Sequence, residues 1–203
     1  MPKVSDDYKE KRRYEILMAA EKVFIEKGFS GTTMTDIVTA SGLSRGGLYH
    51  YFSNTDEVYQ ALLKERDSEA NEYFENLLKD NQTAWGAMES FLSMVEQSLT
   101  HSKDSLAPVN LEYFIIGRHV KGRLEFINAR FDAALGSLLN LLGTGVERGE
   151  LAPIQPLHTI VNFLLNTIDA MHIQTIIMSS EKADIKGQVE AIRIYLKQAL
   201  GAK

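Results

Sequence analysis

The stretch TTMTDIVTASGLSRGGLYHYFSNTDEV, Thr32 to Val58, decides the fold. Thr33 can cap a short helix, with Asp36 three residues on in the capping-box position. Met34, Ile37 and Val38 face inward along it, and Gly42 stops it. Ser44 caps a second helix, Arg45 to Phe52, that holds Leu48 and Phe52. Asn54 caps the next, with Glu57 at the capping-box position and Asp56 placed favourably for the helix dipole. Two short helices joined by a turn that opens with glycine form a helix-turn-helix. In that motif the second helix enters the DNA major groove and its first residues meet the base edges.

The segment Arg45 to Phe52 suits that task on three counts. It carries no carboxylate to repel phosphate. Its Ser44 cap and free backbone N–H groups make a positive helix start, and Gly46 and Gly47 let the backbone approach closely. Two interior glycines cost about 2 kcal/mol relative to alanine, so Leu48 and Phe52 must hold the helix by packing. Tyr49, His50 and Tyr51 cannot all point into one small core, so one or two of them face out, within reach of phosphates or bases.

Upstream, Ile16, Leu17, Ala20, Val23 and Phe24 make one apolar stripe, stopped by Gly28 with Phe29 behind it in the manner of a left-handed C-cap. Downstream the helices lengthen: Thr55 to about Lys79; one holding Trp85 to Leu99; one after Pro108; Leu124 to Val146, ending near Gly149; about Pro156 to Ser179; and about Asp184 to Leu200. The expectation is an all-α chain of about nine helices. Residues 1–54 form a three-helix DNA-binding unit, and residues 55–203 a larger bundle for ligand binding and dimerisation.

Composition sets the outer limits. The 203 residues are 44% hydrophobic and 24% charged, which is globular usage. Only four prolines punctuate the chain, none between Pro2 and Pro108, which favours long helices over a strand-rich fold. Cysteine is absent, so disulfides, thiol catalysis and thiolate metal sites are excluded. The net charge of −5 argues against indiscriminate nucleic-acid coating. Within residues 1–60, eight Lys/Arg face nine Asp/Glu, but Lys9, Lys11, Arg12 and Arg13 are clustered. That cluster is either a solvated helix start or a phosphate contact. Met1 to Asp7 has no secretory pattern, and Ile160 to Met178 is interrupted by Asn162, Asn166, Asp169, His172 and Gln174. A cytoplasmic protein without a membrane partner is expected. The histidines show no metal-ligand spacing, and no Gly-rich phosphate loop or nucleophile elbow is present. Neither metal, cofactor nor enzymatic activity is expected.

Two features of the bundle bear on partners. Ile185, Val189, Ile192 and Leu196 keep a near-heptad spacing, and the helix before them is too apolar for one exposed face, which predicts a dimer seam on the last two helices, a four-helix interface between chains. His158, Asn162, Asn166, Asp169 and His172 recur at spacings of four, four, three and three. That polar line faces either the seam or a ligand cavity.

The signature Gly28-Phe29, Thr32-Thr33, Ile37, Ala40, Gly42, Ser44, Gly46-x-Leu48-Tyr49-x-Tyr51-Phe52 and Glu57 resembles the N-terminal signature of the TetR family of transcriptional regulators, over residues 15–63. A second likeness runs from Leu138-Leu139 to Gly149-Glu150-Leu151 and Pro156. The resemblance implies that Thr33 and Thr35 touch phosphates, and that Arg45, Gly47, Tyr49 and His50 face the groove, with Tyr51 beside them and Ser44 and Gly46 at the helix start. Thr55 stands where many members have a phosphate-holding lysine, and Gly47 where Thr or Ser is frequent, which shifts weight to Arg45 and the Lys9–Arg13 cluster. Arg45 either reads a base or holds a phosphate.

The resemblance further implies a homodimer on a palindromic double-stranded operator, and a cavity whose small-molecule effector moves the two DNA-binding heads apart. Trp85, Met88, Phe91, Tyr113, Phe114, Phe126 and Met171 are its candidate walls, with Asn166, Asp169 and His172 as polar groups. A ligand-responsive repressor is therefore expected, the alternative being a DNA-bound architectural or adaptor protein without an effector.

Overall fold

The local caps form as the residue types dictate. Thr33 Oγ1 accepts the Asp36 N–H at 3.2 Å, and the Asp36 carboxylate accepts the Thr33 N–H at 2.9 Å, closing the box reciprocally. Ser44 Oγ accepts the Gly47 N–H at 3.1 Å. Asn54 Oδ1 accepts the Glu57 N–H at 2.8 Å, while the Glu57 carboxylate reaches back to the Ser53 N–H at 2.7 Å. In the computed structural model residues 6–202 are described, and these caps set the starts of α2 (Met34–Ser41), α3 (Arg45–Tyr49) and α4 (Thr55–Asp80). Around them run α1 (Asp6–Gly31), α5 (Ala84–Thr100), α6 (Ala107–Gly117), α7 (Arg123–Glu147), α8 (Leu157–Ile177) and α9 (Ile185–Ala199). The all-α expectation holds: the described residues form nine α-helices and one 3-10 turn, without strands.

Two ends differ from expectation. The first helix does not finish at Gly28; the chain breaks there, at φ 74° and ψ 173°, and resumes helical turns to Gly31. That combination is open essentially to glycine alone, and it is not the left-handed cap the sequence suggests. The recognition helix ends at Tyr49 rather than Phe52. Beyond it the chain keeps turning, with the Tyr51 and Phe52 N–H groups both bonded to the Leu48 carbonyl at 2.9 and 3.1 Å. Leu48 and Phe52 are still buried as expected.

Two apolar clusters organise the helices. The first joins Leu17, Phe24, Ile37 and Leu48 to Val58, Tyr59 and Leu62 of α4 and to Val109 and Tyr113 of α6. Its packing thus runs past residue 54 and takes in α6. The second unites α5, α7, α8 and α9 through residues such as Leu92, Leu138, Leu164 and Val189, and α4 reaches it at Leu77.

The second cluster corrects the expected seam. Ile185, Val189, Ile192 and Leu196 are 0–5% exposed within one protomer, packed in this core, where α9 lies on α5. Their spacing is a genuine apolar stripe, but its partner is the same chain. Trp85, Met88, Phe91 and Met171 belong to the same core, and Tyr113 and Phe126 to the first one. α8 is long and apolar enough by length and composition to cross a membrane, yet Ile160, Val161, Leu164, Ile168 and Met171 spend its inner face on the core.

Candidate nucleic-acid interface and effector cavity

With Leu48 pointing inward, most of the other positions of α3 face out. Ser44, Arg45, Gly46, Tyr49 and His50 are exposed, Gly47 and Tyr51 half-buried. Of the three ring-bearing residues, Tyr49 and His50 are therefore the outward pair, while Tyr51 packs against the first core. The Arg45 guanidinium lies 5.6 Å from the centre of the Tyr49 ring. A Cβ placed on Gly46 would meet nothing within 4 Å, so this glycine faces open space, whereas one on Gly47 would meet Ser44 Oγ at 3.2 Å. The outer surface of α3 is thus a short, low-relief ridge with one cation, two aromatic polar tips and bare backbone.

The flanks add phosphate-sized contacts of unequal quality. Thr35 presents an exposed side chain. Thr33 is exposed too, but its hydroxyl is donated to the Asp36 carboxylate at 2.6 Å, so a phosphate has to compete for it. Lys27 holds Asp36 at 2.6 Å; that contact first, and the Thr33 hydrogen bonds second, pull the Asp36 carboxyl down to about 2. Thr55 is half-buried at the first position of α4. Within the basic cluster, Arg12 pairs with Glu15 at 2.6 Å and Arg13 lies 5.5 Å from the centre of the Phe52 ring, whereas Lys9 and Lys11 are exposed.

A second site lies where α6 crosses α8. Ala107, Asn110, Leu111, Phe114, Asp169 and His172 contribute to a hollow of about 360 Å³. A neighbour of about 360 Å³ shares Asn110, Phe114 and Asp169 and extends to Arg130 and Phe131 of α7. A cleft of about 560 Å³ reaches from Asn110 and His172 to Glu21 and Arg66. Of the expected lining residues, Phe114, Asp169 and His172 are there. Trp85, Met88, Phe91, Tyr113, Phe126 and Met171 line none of the three hollows, because they fill the two cores. Asn166 also lies outside them, exposed with Phe163, Ala170 and Ile177 on the outer stripe of α8. The polar line is therefore divided: Asp169 and His172 reach the hollow, Asn166 faces outward, and the Asn162 amide bonds the His158 ring at 2.9 Å near the helix start.

The residues that tie this hollow to the α3 ridge carry no signal of their own in the sequence. Glu112, on α6 between Asn110 and Phe114, accepts the Phe29 N–H at 2.7 Å and the Ser30 N–H at 3.0 Å. These are amides that the break at Gly28 leaves free of helical partners. Burial acts against the Glu112 charge, but the Ser30 and Phe29 hydrogen bonds outweigh it and lower its pKa. The Tyr59 hydroxyl donates to Asn110 Oδ1 at 2.7 Å. At the start of α7, buried Arg123 pairs with Asp56 at the start of α4, its guanidinium 4.2 Å from the Tyr113 ring centre and 5.0 Å from that of Phe29.

An exposed, arginine-led short helix on a helix-turn-helix, backed by a helical bundle, defines a helix-turn-helix DNA-binding regulator. Residues 16–62 match the model of the bacterial regulatory proteins of the tetR family, and residues 87–186 that of the tetracyclin repressor-like C-terminal domain. The uncharacterized HTH-type transcriptional regulator YfiR of Bacillus subtilis is 38% identical over 203 residues, covering 99% of this chain and 98% of that one. The chain belongs to the TetR family of transcriptional regulators. The HTH-type transcriptional repressor Rv1474c of Mycobacterium tuberculosis is 40% identical over 65 residues, 32% of this chain and 35% of its own. The structure of the fatty acid degradation regulator FadR from Bacillus halodurans superimposes with a TM-score of 0.77 at 19% identity, covering 99% of this chain and all of that one, and thereby shares the fold.

Proposed function

We propose that this regulator is a repressor that binds a palindromic operator as a homodimer and is released by a small molecule entering the α6–α8 hollow. The carrying observation is the position of α6: one side of the helix lines the hollow with Asn110, Leu111 and Phe114, and Glu112 holds the Phe29 and Ser30 amides next to the reading head. A ligand that repositions α6 changes the seat of α1 and thus of α3. It does so only by binding the two arrangements with different affinity. Repression rather than activation is supported by the function named for the mycobacterial relative, and such a regulator acts in the cytoplasm.

Residues 1–54 serve as the reading head and 55–203 as the regulatory part, with the head seated on α4 and α6. For the dimer, the outer stripes of α8 and α9 replace the buried α9 stripe. Phe163, Ile177 and Ile194 are 50–73% exposed, and the Phe163 and Tyr195 rings meet at 4.7 Å across the two helices. Small Ala170, Gly187 and Ala191 lie on the same exposed faces, where they permit close helix approach. A two-fold axis through this surface makes one patch self-complementary and presents two α3 ridges to successive major-groove turns, ~34–36 Å apart. Selection of bound duplexes from a random pool, followed by a gel shift on the selected operator with candidate compounds added, tests the proposal. Release by a compound that also raises the unfolding temperature supports it; an operator complex indifferent to every compound that binds the hollow refutes the effector role.

A further inference from the structure

We propose that the hollow between α6 and α8 takes a lipophilic monocation, an organic ammonium or phosphonium with an apolar body, with the Asp169 carboxylate as its counter-ion. This rests on the effector role assigned to the hollow above.

The walls argue for an apolar ligand body. Ala107, Leu111, Phe114, Ile173 and Ile176 supply most of the lining, around a volume of about 360 Å³ that falls within the usual range for small-molecule sites. The polar groups argue for one positive charge. Asn110 Oδ1 is occupied by the Tyr59 hydroxyl, and His172 Nδ1 is bonded to Ser102 Oγ at 2.9 Å. Burial lowers the His172 pKa, which leaves the imidazole neutral and unable to balance a carboxylate. In the adjoining hollow, Arg130 is held by both Asp67 oxygens at 2.7 Å each, so its charge is spent. Of the hollow's three polar side chains, Asn110, Asp169 and His172, Asp169 is the one without a hydrogen bond or ion pair to the described residues.

Asp169 is exposed at the mouth of the hollow, with enough protein on its inner side that burial raises its pKa. A cation seated beside this unpaired carboxylate gains an ion pair that the apolar walls partly shield from water, while its hydrocarbon part covers Leu111 and Ile173. A fatty acid or other anion in the same place sets like charge against like. A neutral amphiphile gains the apolar contact only.

Calorimetric titration of the full-length protein with decyltrimethylammonium, decanol and decanoate, each below its micellar concentration, separates charge from apolar bulk. The wild type should bind the cation most tightly and decanoate not measurably. Asp169→Asn should weaken the cation by about tenfold or more and leave decanol unchanged. Glu181→Ala, which removes an exposed carboxylate outside the hollow, should change neither. Equal cation affinity in wild type and Asp169→Asn, tighter binding of decanoate, or no binding of any of the three overturns the proposal. So does an Asp169→Asn protein that sediments as a monomer with its cation affinity intact, since the carboxylate then serves the seam. The two levels fail separately in the gel shift. Cation binding without operator release removes the effector role and keeps the site. Release by an uncharged or anionic compound that leaves the cation unbound keeps the effector role and removes the cation.

Discussion

Glu112→Ala isolates the connection between the regulatory bundle and the reading head. In the wild type its carboxylate accepts two backbone N–H groups across a sequence separation of more than eighty residues. A hydrogen bond to a charged group contributes ~1.5–3 kcal/mol. The Ser30 amide is exposed and recovers a water partner on truncation, whereas that of half-buried Phe29 recovers one less readily. The net loss is therefore closer to one such bond than two, ~1.5–3 kcal/mol, which lowers Tm by about 3–12 °C for a chain of this length. Hydrogen exchange should accelerate at the amides of Phe29 and Ser30 first, with α5 and α9 unaffected.

Operator affinity should fall, and a bound effector should change it less than in the wild type, because α6 no longer grips α1. The pH dependence carries the same sign. The folded pKa of Glu112 lies below its ordinary value of 4.5, so the contribution is present above 4.5 and is lost as pH falls through the lowered folded value. Between the wild type and Glu112→Ala, the gap in Tm should be full at neutral pH and narrow below 4.5. An unchanged Tm, unchanged exchange at residues 29 and 30, and an intact effector response refute the coupling role.

Gly46→Ala separates folding from recognition: its Cβ meets open space in the free protein and removes a helix-propensity penalty of ~1 kcal/mol, so Tm should hold or rise while operator affinity, read by fluorescence anisotropy, falls. Arg45→Ala should cost ~1–3 kcal/mol of operator binding and relax base preference at one position in each half-site; duplex selection that recovers an unchanged consensus assigns Arg45 to phosphate instead. Ile177→Glu combined with Ile194→Glu should halve the sedimenting mass with little change in helicity, since both positions are exposed in the protomer. By contrast Ile192→Ala, inside the core, should lower fold stability by ~2–5 kcal/mol without selectively dissociating the pair.

What was legible in the sequence was what short-range chemistry controls. Thr33 with Asp36, Ser44, and Asn54 with Glu57 set helix starts because a cap is a contact over three residues, and the α3 ridge followed once Leu48 and Phe52 were assigned inward. Partners at long range were not legible. The stripe Ile185, Val189, Ile192 and Leu196 is as periodic as expected, but a period states that a face is buried and not which helix buries it; α5 does. Residues along α8 chosen for polarity alone span two neighbouring stripes of one cylinder, so Asn166 faces out while Asp169 and His172 reach the hollow. Aromatics such as Trp85 and Phe91 carry apolar area that a core or a ligand wall uses equally well, and here the core takes it. The Glu112 bonds depend on the form of the break at Gly28, which the sequence marks only as a stop, and on α6 crossing at that height, which no local pattern records.

The most direct measurement of the central claim is protection of a selected operator by the purified full-length protein, compared with Arg45→Ala and Tyr49→Ala. The account predicts two protected major-groove segments one helical turn apart, related by inverted symmetry and weakened together by either substitution at unchanged Tm. A protein that protects no duplex, or that protects one equally well with the α3 side chains removed, contradicts it.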